Sequence, residues 1–337
     1  METNDITPEE SQVPNVPSTS PPISNEVQDA LGTLKTELGK VIIGQEENIT
    51  LSFAALLIGG HVLLEGVPGV AKTLIAKSMA KAIDLDFSRV QFTPDLMPSD
   101  VTGTSVFNMK NSVFEFKKGP AFTQILLIDE INRAPAKTQA ALFEVMQEKQ
   151  ITNDNETYKM ELPFFVMATQ NPIEQEGTYQ LPEAQLDRFI FKLIVDLPDE
   201  IGEMAILSRY KDDFSENHSD QIKPVLSAKQ ISQCSAFIEK VTISDQLLQY
   251  ISQIVVATRK HPDIYLGGSP RASLNILRSA KTIAAINGRS FVTPDDIKYV
   301  SVFVLNHRII LQPEREMAGI QTTEVIAEIF NTIEVPR

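Results

Sequence analysis

Three groups of residues in this chain have the types and spacing that phosphate chemistry needs. The first is LLEGVPGVAKT, Leu63 to Thr73. Here Gly66, Lys72 and Thr73 match a loop of the form G-x-x-x-x-G-K-[ST], while Ala71 stands where its last glycine is expected. Backbone N–H groups of Val67, Gly69, Val70 and Ala71, in a turn shaped by Pro68, would surround a β-phosphate. Lys72 would reach the β- and γ-phosphates, and Thr73 would give its hydroxyl to Mg²⁺. An alanine at position 71 still donates its N–H, and its methyl is tolerated if φ stays negative. The second group is ILLIDEINR, in which Asp129 and Glu130 end an apolar run 57 residues after Lys72. Asp129 can hold a Mg²⁺ shell and Glu130 can polarise a water for attack on a γ-phosphate. The third group is dispersed. Asn171 in FFVMATQNP can orient that water or contact the γ-phosphate. Arg188 in LPEAQLDRF can stabilise the charge of phosphoryl transfer, in its own subunit or from a neighbouring one. Arg271 in GGSPRAS opens a helix against the helix dipole and so calls for an anionic partner, which ATP supplies, so that Lys72, Asp129, Glu130, Asn171 and Arg271 of a single chain are expected around one nucleotide.

Chemistry of this kind needs strands that end at one edge and helices that begin there. HVLLE (61–65), RVQF (89–92), ILLID (125–129), FFVMAT (164–169) and FIFKLIV (189–195) are short apolar runs. They suit strands buried on both faces, as in a parallel sheet. Helical stretches at 72–84 and 136–147 separate them, which predicts an α/β core with helices on both faces and ligands at the carboxyl edge. After Asp196 the strand-like runs stop. Helices are expected at 199–211, 227–240, 244–260, 270–287, 294–310 and 322–334, with start signals at Ser227/Gln230, Ser269-Pro270 and Thr293-Pro294. The second domain is therefore expected to be all-helical. A helix is also expected from about Asn25 to Lys40, and an exposed acidic loop at 211–221. Residues 104–117 and 149–162 read as two β-hairpins.

Composition narrows the partners. The 337 residues carry a net charge of −14, which does not favour nucleic-acid binding, and the TNDNET tip of the second hairpin lacks cations. Residues 1–25, with five prolines among polar residues, read as a disordered tail. The lone Cys234 excludes an internal disulfide and is expected to be a small apolar helix residue. The longest uncharged stretch, Ile49 to Leu64, is too short and polar to span a bilayer, so membrane insertion is not expected. No lysine or arginine precedes Lys35, as a signal peptide would require, and a reducing cytoplasm fits best.

Taken in order, VIIGQ (41–45), GVPGVAKT (66–73), LLIDEINRAPAKTQAALFEVMQE (126–148), ATQNP (168–172), LPEAQLDRF (182–189) and GSPRA (268–272) resemble the MoxR family of AAA+ ATPases over about residues 35–337. The resemblance implies a disordered tail at 1–25, an AAA+ P-loop core over 26–197 and a helical lid over 198–337. It implies ATP and Mg²⁺ as cofactors. Gly66 to Thr73 would be Walker A, Asp129 and Glu130 Walker B, Asn171 sensor 1, Arg271 sensor 2 and Arg188 the arginine finger. Ile42, Ile43 and Gly44 would pack near the adenine, and Ala71 would be a variant the family shares with minichromosome-maintenance helicases. It further implies a homo-oligomer, a hexameric ring, that couples ATP hydrolysis to chaperone-like remodelling or maturation of a partner, with proteins carrying a von Willebrand factor A domain as the partner class. The two hairpins would resemble the helix-2 insert and the pre-sensor-1 hairpin. A metal-chelatase-type motor subunit and a helicase-related motor share much of this pattern. A transcriptional activator fits poorly, and a nonenzymatic ATP sensor would not need Glu130.

Overall fold

The computed structural model describes residues 25–154, 156–172, 177–211 and 218–336. The tail expected at 1–25 lies outside these residues apart from Asn25. The loop expected at 211–221 is described only at Lys211 and in a 3₁₀ turn at His218–Gln221.

The chain begins with helices α1 (Asn25–Leu38) and α2 (Glu46–Ile58), followed by strand β1 (Val62–Glu65) and α3 (Lys72–Ala82). Then come β2 (Phe87–Gln91), α4 (Pro98–Thr102), the hairpin β3 (Gly103–Asn108) and β4 (Val113–Lys118), β5 (Ile125–Asp129) and α5 (Ala136–Glu148). A second hairpin, β6 (Gln150–Asn153) and β7 (Glu156–Lys159), leads to β8 (Phe165–Gln170), α6 (Glu183–Leu186) and β9 (Phe191–Ile194). The main sheet has the order β2-β5-β8-β1-β9, and all its pairings are parallel. Alternation along the strands splits the core in two. Val62, Leu64, Ile125, Leu127, Phe165 and Met167 join one cluster, and Leu63, Leu126, Ile128, Val166 and Ala168 join the other.

The strand at 87–91 departs from the expected two-sided burial. It is one of the sheet's two edge strands, and its residues Arg89 and Gln91 are exposed. Helix α2 had no counterpart in the sequence reading. Most of its residues are buried, so its apolar positions show no one-sided period to read.

Beyond β9 lie α7 (Glu200–Tyr210), α8 (Ala228–Lys240), α9 (Asp245–Lys260), the strand β10 (Ile264–Leu266), α10 (Pro270–Ile286), α11 (Pro294–Leu305), β11 (Ile310–Leu311), α12 (Pro313–Met317) and α13 (Thr322–Thr332). The second domain is helical as expected, with one short antiparallel pair, β10 and β11, added to it. Their apolar runs are too short to stand out as strands. The start signals at Ser227/Gln230 and at Thr293 form capping boxes, and Cys234 is buried in α8. Ser269 occupies the N-cap of α10, but its hydroxyl bonds elsewhere. The lid helices α8 to α11 and α13 share one hydrophobic cluster with α1, α2 and α3. Among the described residues, no helix is long and apolar enough to cross a membrane.

His61 ties the sheet to α5. Its Nε2 lies 3.1 Å from the Met146 carbonyl and its Nδ1 accepts the Val166 N–H at 3.0 Å, which defines one neutral tautomer. Burial pushes its pKa down from 6.5 to about 4, and nearby Lys149 acts in the same direction. Between these values the unfolded chain takes up a proton that the folded chain refuses, so stability falls as the pH drops through this window. The loss should reach roughly 3 kcal/mol by pH 4. Urea midpoints measured from pH 7 to pH 4 should show it, and His61→Gln, although weaker overall, should show a shallower slope. An identical slope in the variant would assign the acid sensitivity to other groups.

Candidate functional site

The carboxyl ends of β1, β5 and β8 bring most of the expected site together. The loop 66–73 leaves β1 and enters α3. Gly66 has no room for a side chain: an added Cβ would lie 2.4 Å from the Val195 carbonyl oxygen and 3.1 Å from Val70 Cγ2. Gly69 adopts φ +89° with open space beside it, which leaves the loop clear for a ligand. Asn171 follows directly from β8, whose Gln170 pairs with Glu65 and whose Gln170 carbonyl accepts the Gly66 N–H at 3.3 Å. The sensor amide is therefore level with the phosphate loop. The turn at 42–45 also docks here: Gln45 Nε2 bonds the Asp196 carbonyl at 3.3 Å and Asn48 Nδ2 that of Ile194 at 3.0 Å. Within it Ile43 and Gly44 (φ +72°) face outward in part. Ile42 beside them is buried, and its side chain anchors the turn in the main hydrophobic cluster.

Ala71 corrects the sequence reading: its φ is +60°, in the left-handed region. The loop must reverse its hand there to enter α3, which explains a glycine preference at this place and the cost of about 1 kcal/mol that alanine bears. Ala71→Gly should keep stability within about 1 kcal/mol, because relief of strain is offset by the freedom glycine has when unfolded. Ala71→Val should lower both melting temperature and nucleotide affinity. A valine variant equal to wild type in both assays would refute the assigned backbone conformation.

The acidic pair is held from three sides. Arg89 Nε donates to Asp129 Oδ2 at 2.6 Å, and the Thr169 hydroxyl donates to Asp129 Oδ1 at 3.3 Å. The same hydroxyl accepts the Glu130 N–H at 3.0 Å, which supports Glu130 in a left-handed conformation with φ +57°. The Glu130 carboxylate receives Gln91 Nε2 at 3.1 Å and pairs with Arg133 at 2.8 Å. Lys72 Nζ folds back onto the Gly66 carbonyl. Burial lowers its pKa, an effect opposed by Asp129, Glu130 and Glu65. Glu65 is itself paired with Lys192 at 2.9 Å. These residues fit MgATP. The loop's donors and Lys72 suit phosphates, and the Thr73 hydroxyl and Asp129 carboxylate are the hard oxygen donors that Mg²⁺ prefers.

Sequence reasoning missed Arg89, Gln91 and Thr169. The polar alternation of Arg89 and Gln91 around Val90 marked a one-sided strand. Only the strand order, with Gln91 opposite Asp129, places it beside the acidic pair.

Arg188 and Arg271 lie elsewhere. Arg188 precedes β9, which runs parallel to β1, so it stands at the amino edge of the sheet. It donates to the Phe143 carbonyl and lies over the Phe143 ring, 5.7 Å from its centroid. Arg271 approaches Asp187 at 3.9 Å and shares with Arg188, Gly60, His61, Lys149 and Arg278 a cavity of about 370 Å³. A four-residue strand spans roughly 13 Å at 3.3 Å per residue, so this cavity is at least that far from the phosphate loop. The expectation that Arg271 joins Lys72, Asp129, Glu130 and Asn171 around one nucleotide of its own chain is therefore corrected. The fold of α10 against α2 carries it to the amino edge instead.

The ATPase family associated with various cellular activities (AAA) matches residues 61–191, and an AAA lid domain matches 256–329. The chain is 44% identical to the uncharacterized protein YeaC of Bacillus subtilis, over 92% of this chain and 96% of that one. It is 40% identical to the chaperone MoxR1 of Mycobacterium tuberculosis, over 89% of this chain and 81% of that one. A solved structure from Cytophaga hutchinsonii, assigned as an ATPase, superposes with a TM-score of 0.86 at 44% identity, covering 94% of this chain and 97% of that one.

Proposed function

We infer function from one premise: the chain belongs to the MoxR family of AAA+ ATPases. Its proposed activity is hydrolysis of MgATP at the carboxyl edge of the sheet, coupled to remodelling or maturation of a partner protein. The observation that carries the first half is the meeting of Lys72, Asp129, Glu130 and Asn171 at one edge. Lys72 and the 66–73 amides would bind and orient the phosphates, and Thr73 with Asp129 would hold Mg²⁺. That ion would supply charge neutralisation at the phosphate oxygens. Glu130 would take the proton of an attacking water, which requires its carboxylate to leave Gln91 and Arg133.

The amino-edge position of Arg188 and Arg271 supports a site shared between subunits. Too distant from their own loop, both would face a neighbour's γ-phosphate across a head-to-tail contact, and repetition of that contact closes a ring. Six members follow from the family resemblance. Lys149, Arg188, Arg271 and Arg278 line the amino-edge cavity with Asp187 as its one carboxylate, a cationic surface that suits a neighbour's phosphates.

The hairpins favour a protein partner over a nucleic acid. On the first, Phe107 and Phe114 meet as tilted rings with centroids 5.2 Å apart although Phe114 is 72% exposed, and Met109 at the turn is 87% exposed. The second presents Asp154 and Glu156 and is bonded to the first through Ser105 and Asn153 at 2.7 Å. Aromatic surface suits a protein surface, and the carboxylates repel phosphate backbones. The test is capture with the Glu130→Gln variant in ATP. It should retain a protein with a von Willebrand factor A domain, and Phe107→Ser/Phe114→Ser should release it. Retention that is indifferent to the hairpin, or recovery of nucleic acid alone, would count against this assignment.

A further inference from the structure

Arg308, just past α11, is almost fully buried, and its guanidinium donates in five directions. Its Nε bonds Asp187 Oδ1 at 2.7 Å. Nη2 bonds the Asp187 carbonyl at 3.0 Å and the Phe189 carbonyl, and Nη1 bonds the Ile190 carbonyl at 3.2 Å and that of Val304. His307 Nε2 meets the same Phe189 carbonyl at 3.1 Å, and Asn306 Nδ2 donates to the Lys192 carbonyl at 3.1 Å. One end of a lid helix therefore grips the backbone on both sides of Arg188. Asp187 completes the arrangement with its second oxygen, which accepts the Ser269 hydroxyl at 3.2 Å and faces Arg271 at 3.9 Å. A single carboxylate thus joins the end of α11, the start of α10 and the residue before Arg188.

We propose that Asp187 and Arg308 are positioning residues that hold Arg188 and Arg271 as one rigid pair, so that the lid's orientation sets where both arginines point. The inference rests on the reading of Arg188 and Arg271 as groups that act on a neighbour's nucleotide. Long arginine side chains lose much rotamer freedom when fixed, and a displacement near 1 Å can cost about a hundredfold in rate. Fixing the 187–190 backbone and the first turn of α10 to a common carboxylate removes that slack. Lysine could not replace Arg308, since an ammonium offers three donors from one point where a planar fork serves five acceptors. Burial lowers the Arg308 pKa to about 10, with Asp187 opposing the shift, so the guanidinium keeps its charge at neutral pH.

Asp187→Asn keeps the shape and removes the charge. We expect its kcat for ATP to fall about ten- to hundredfold, with KM and the affinity for a fluorescent ATP analogue within about twofold of wild type. Mixing it with Glu130→Gln subunits, whose Asp187 and Arg188 are intact, should restore turnover. Arg308→Lys should show the same split between kcat and KM, at a lower melting temperature. Wild-type kcat in Asp187→Asn would overturn the proposal. So would a loss that mixing does not restore under conditions in which the Arg188→Ala loss is restored. If the Arg188→Ala loss is itself not restored, the shared-site reading fails and this inference falls with it.

Discussion

The Arg188→Ala variant should hydrolyse ATP about 10³–10⁵-fold more slowly than wild type on the shared-site proposal, the range by which an arginine finger accelerates phosphoryl transfer. The expectation comes from where the side chain stands. Arg188 lies at the amino edge of the sheet, and the Lys72, Asp129 and Glu130 of its own chain lie at the carboxyl edge. Its loss should therefore leave ATP binding to the same subunit unchanged and remove charge stabilisation from the site next door. Two measurements separate this from a simple folding defect. Wild-type turnover per subunit should rise with protein concentration as subunits assemble. Mixtures of Arg188→Ala and Glu130→Gln subunits, each nearly inert alone, should regain turnover where an intact Glu130 meets an intact Arg188. Turnover per subunit that stays constant on dilution to monomers would argue for a self-sufficient chain.

Glu130→Gln should reduce turnover by about 10²–10⁴, the usual contribution of a positioned general base, while ATP still binds. The amide keeps the size of the side chain and can still meet Gln91, but it cannot accept the proton of an attacking water. Lys72→Ala provides the contrast. It removes the cation that now rests on the Gly66 carbonyl between Asp129, Glu130 and Glu65, so affinity should fall first. Equilibrium binding and single-turnover hydrolysis on the two variants would separate these roles. If Glu130→Gln turned over like wild type, Glu130 would not be the base.

The grouping of Lys72, Asp129, Glu130 and Asn171 at one edge is legible in the chain because each of its parts is local. A strand, a glycine turn and a helix start sit within eleven residues at 63–73, and the acidic pair ends its own strand at 125–129. Such features depend on neighbours in sequence, and the structure keeps them nearly in register. One local reading failed for a backbone reason: Ala71 takes a positive φ because of the loop's path. Whatever depends on strand order was not legible. The side chains of Arg89 and Gln91 reach the acidic pair only because β2 lies beside β5. A helix-opening arginine such as Arg271 calls for an anion without saying which, and the acid beside it in the fold is Asp187. Arg308 gave no signal at all, since a lone arginine after an apolar helix looks like any exposed helix end.

The hydrophobic cluster shared by α1 and α2 with the lid has a consequence for how the chain is made. Roughly 190 residues separate the end of α1 at Leu38 from the start of α8 at Ala228. At a synthesis rate of about 5–20 residues per second, the part of the first two helices' apolar surface that packs on the lid waits on the order of 10–40 s for its cover, while α1 can meet α2 and α3 earlier. Val27, Leu34, Leu38 and Leu56 are nearly inaccessible in the finished protein, yet they emerge from the ribosome long before α8 and α10 exist. Contacts so distant in sequence also slow the final collapse, because the intervening chain must be ordered before they form. The nascent chain is thus exposed to aggregation and to holding chaperones throughout the translation of its core. A nascent-chain series should show protease resistance of α1 arising only after α10 has cleared the exit tunnel.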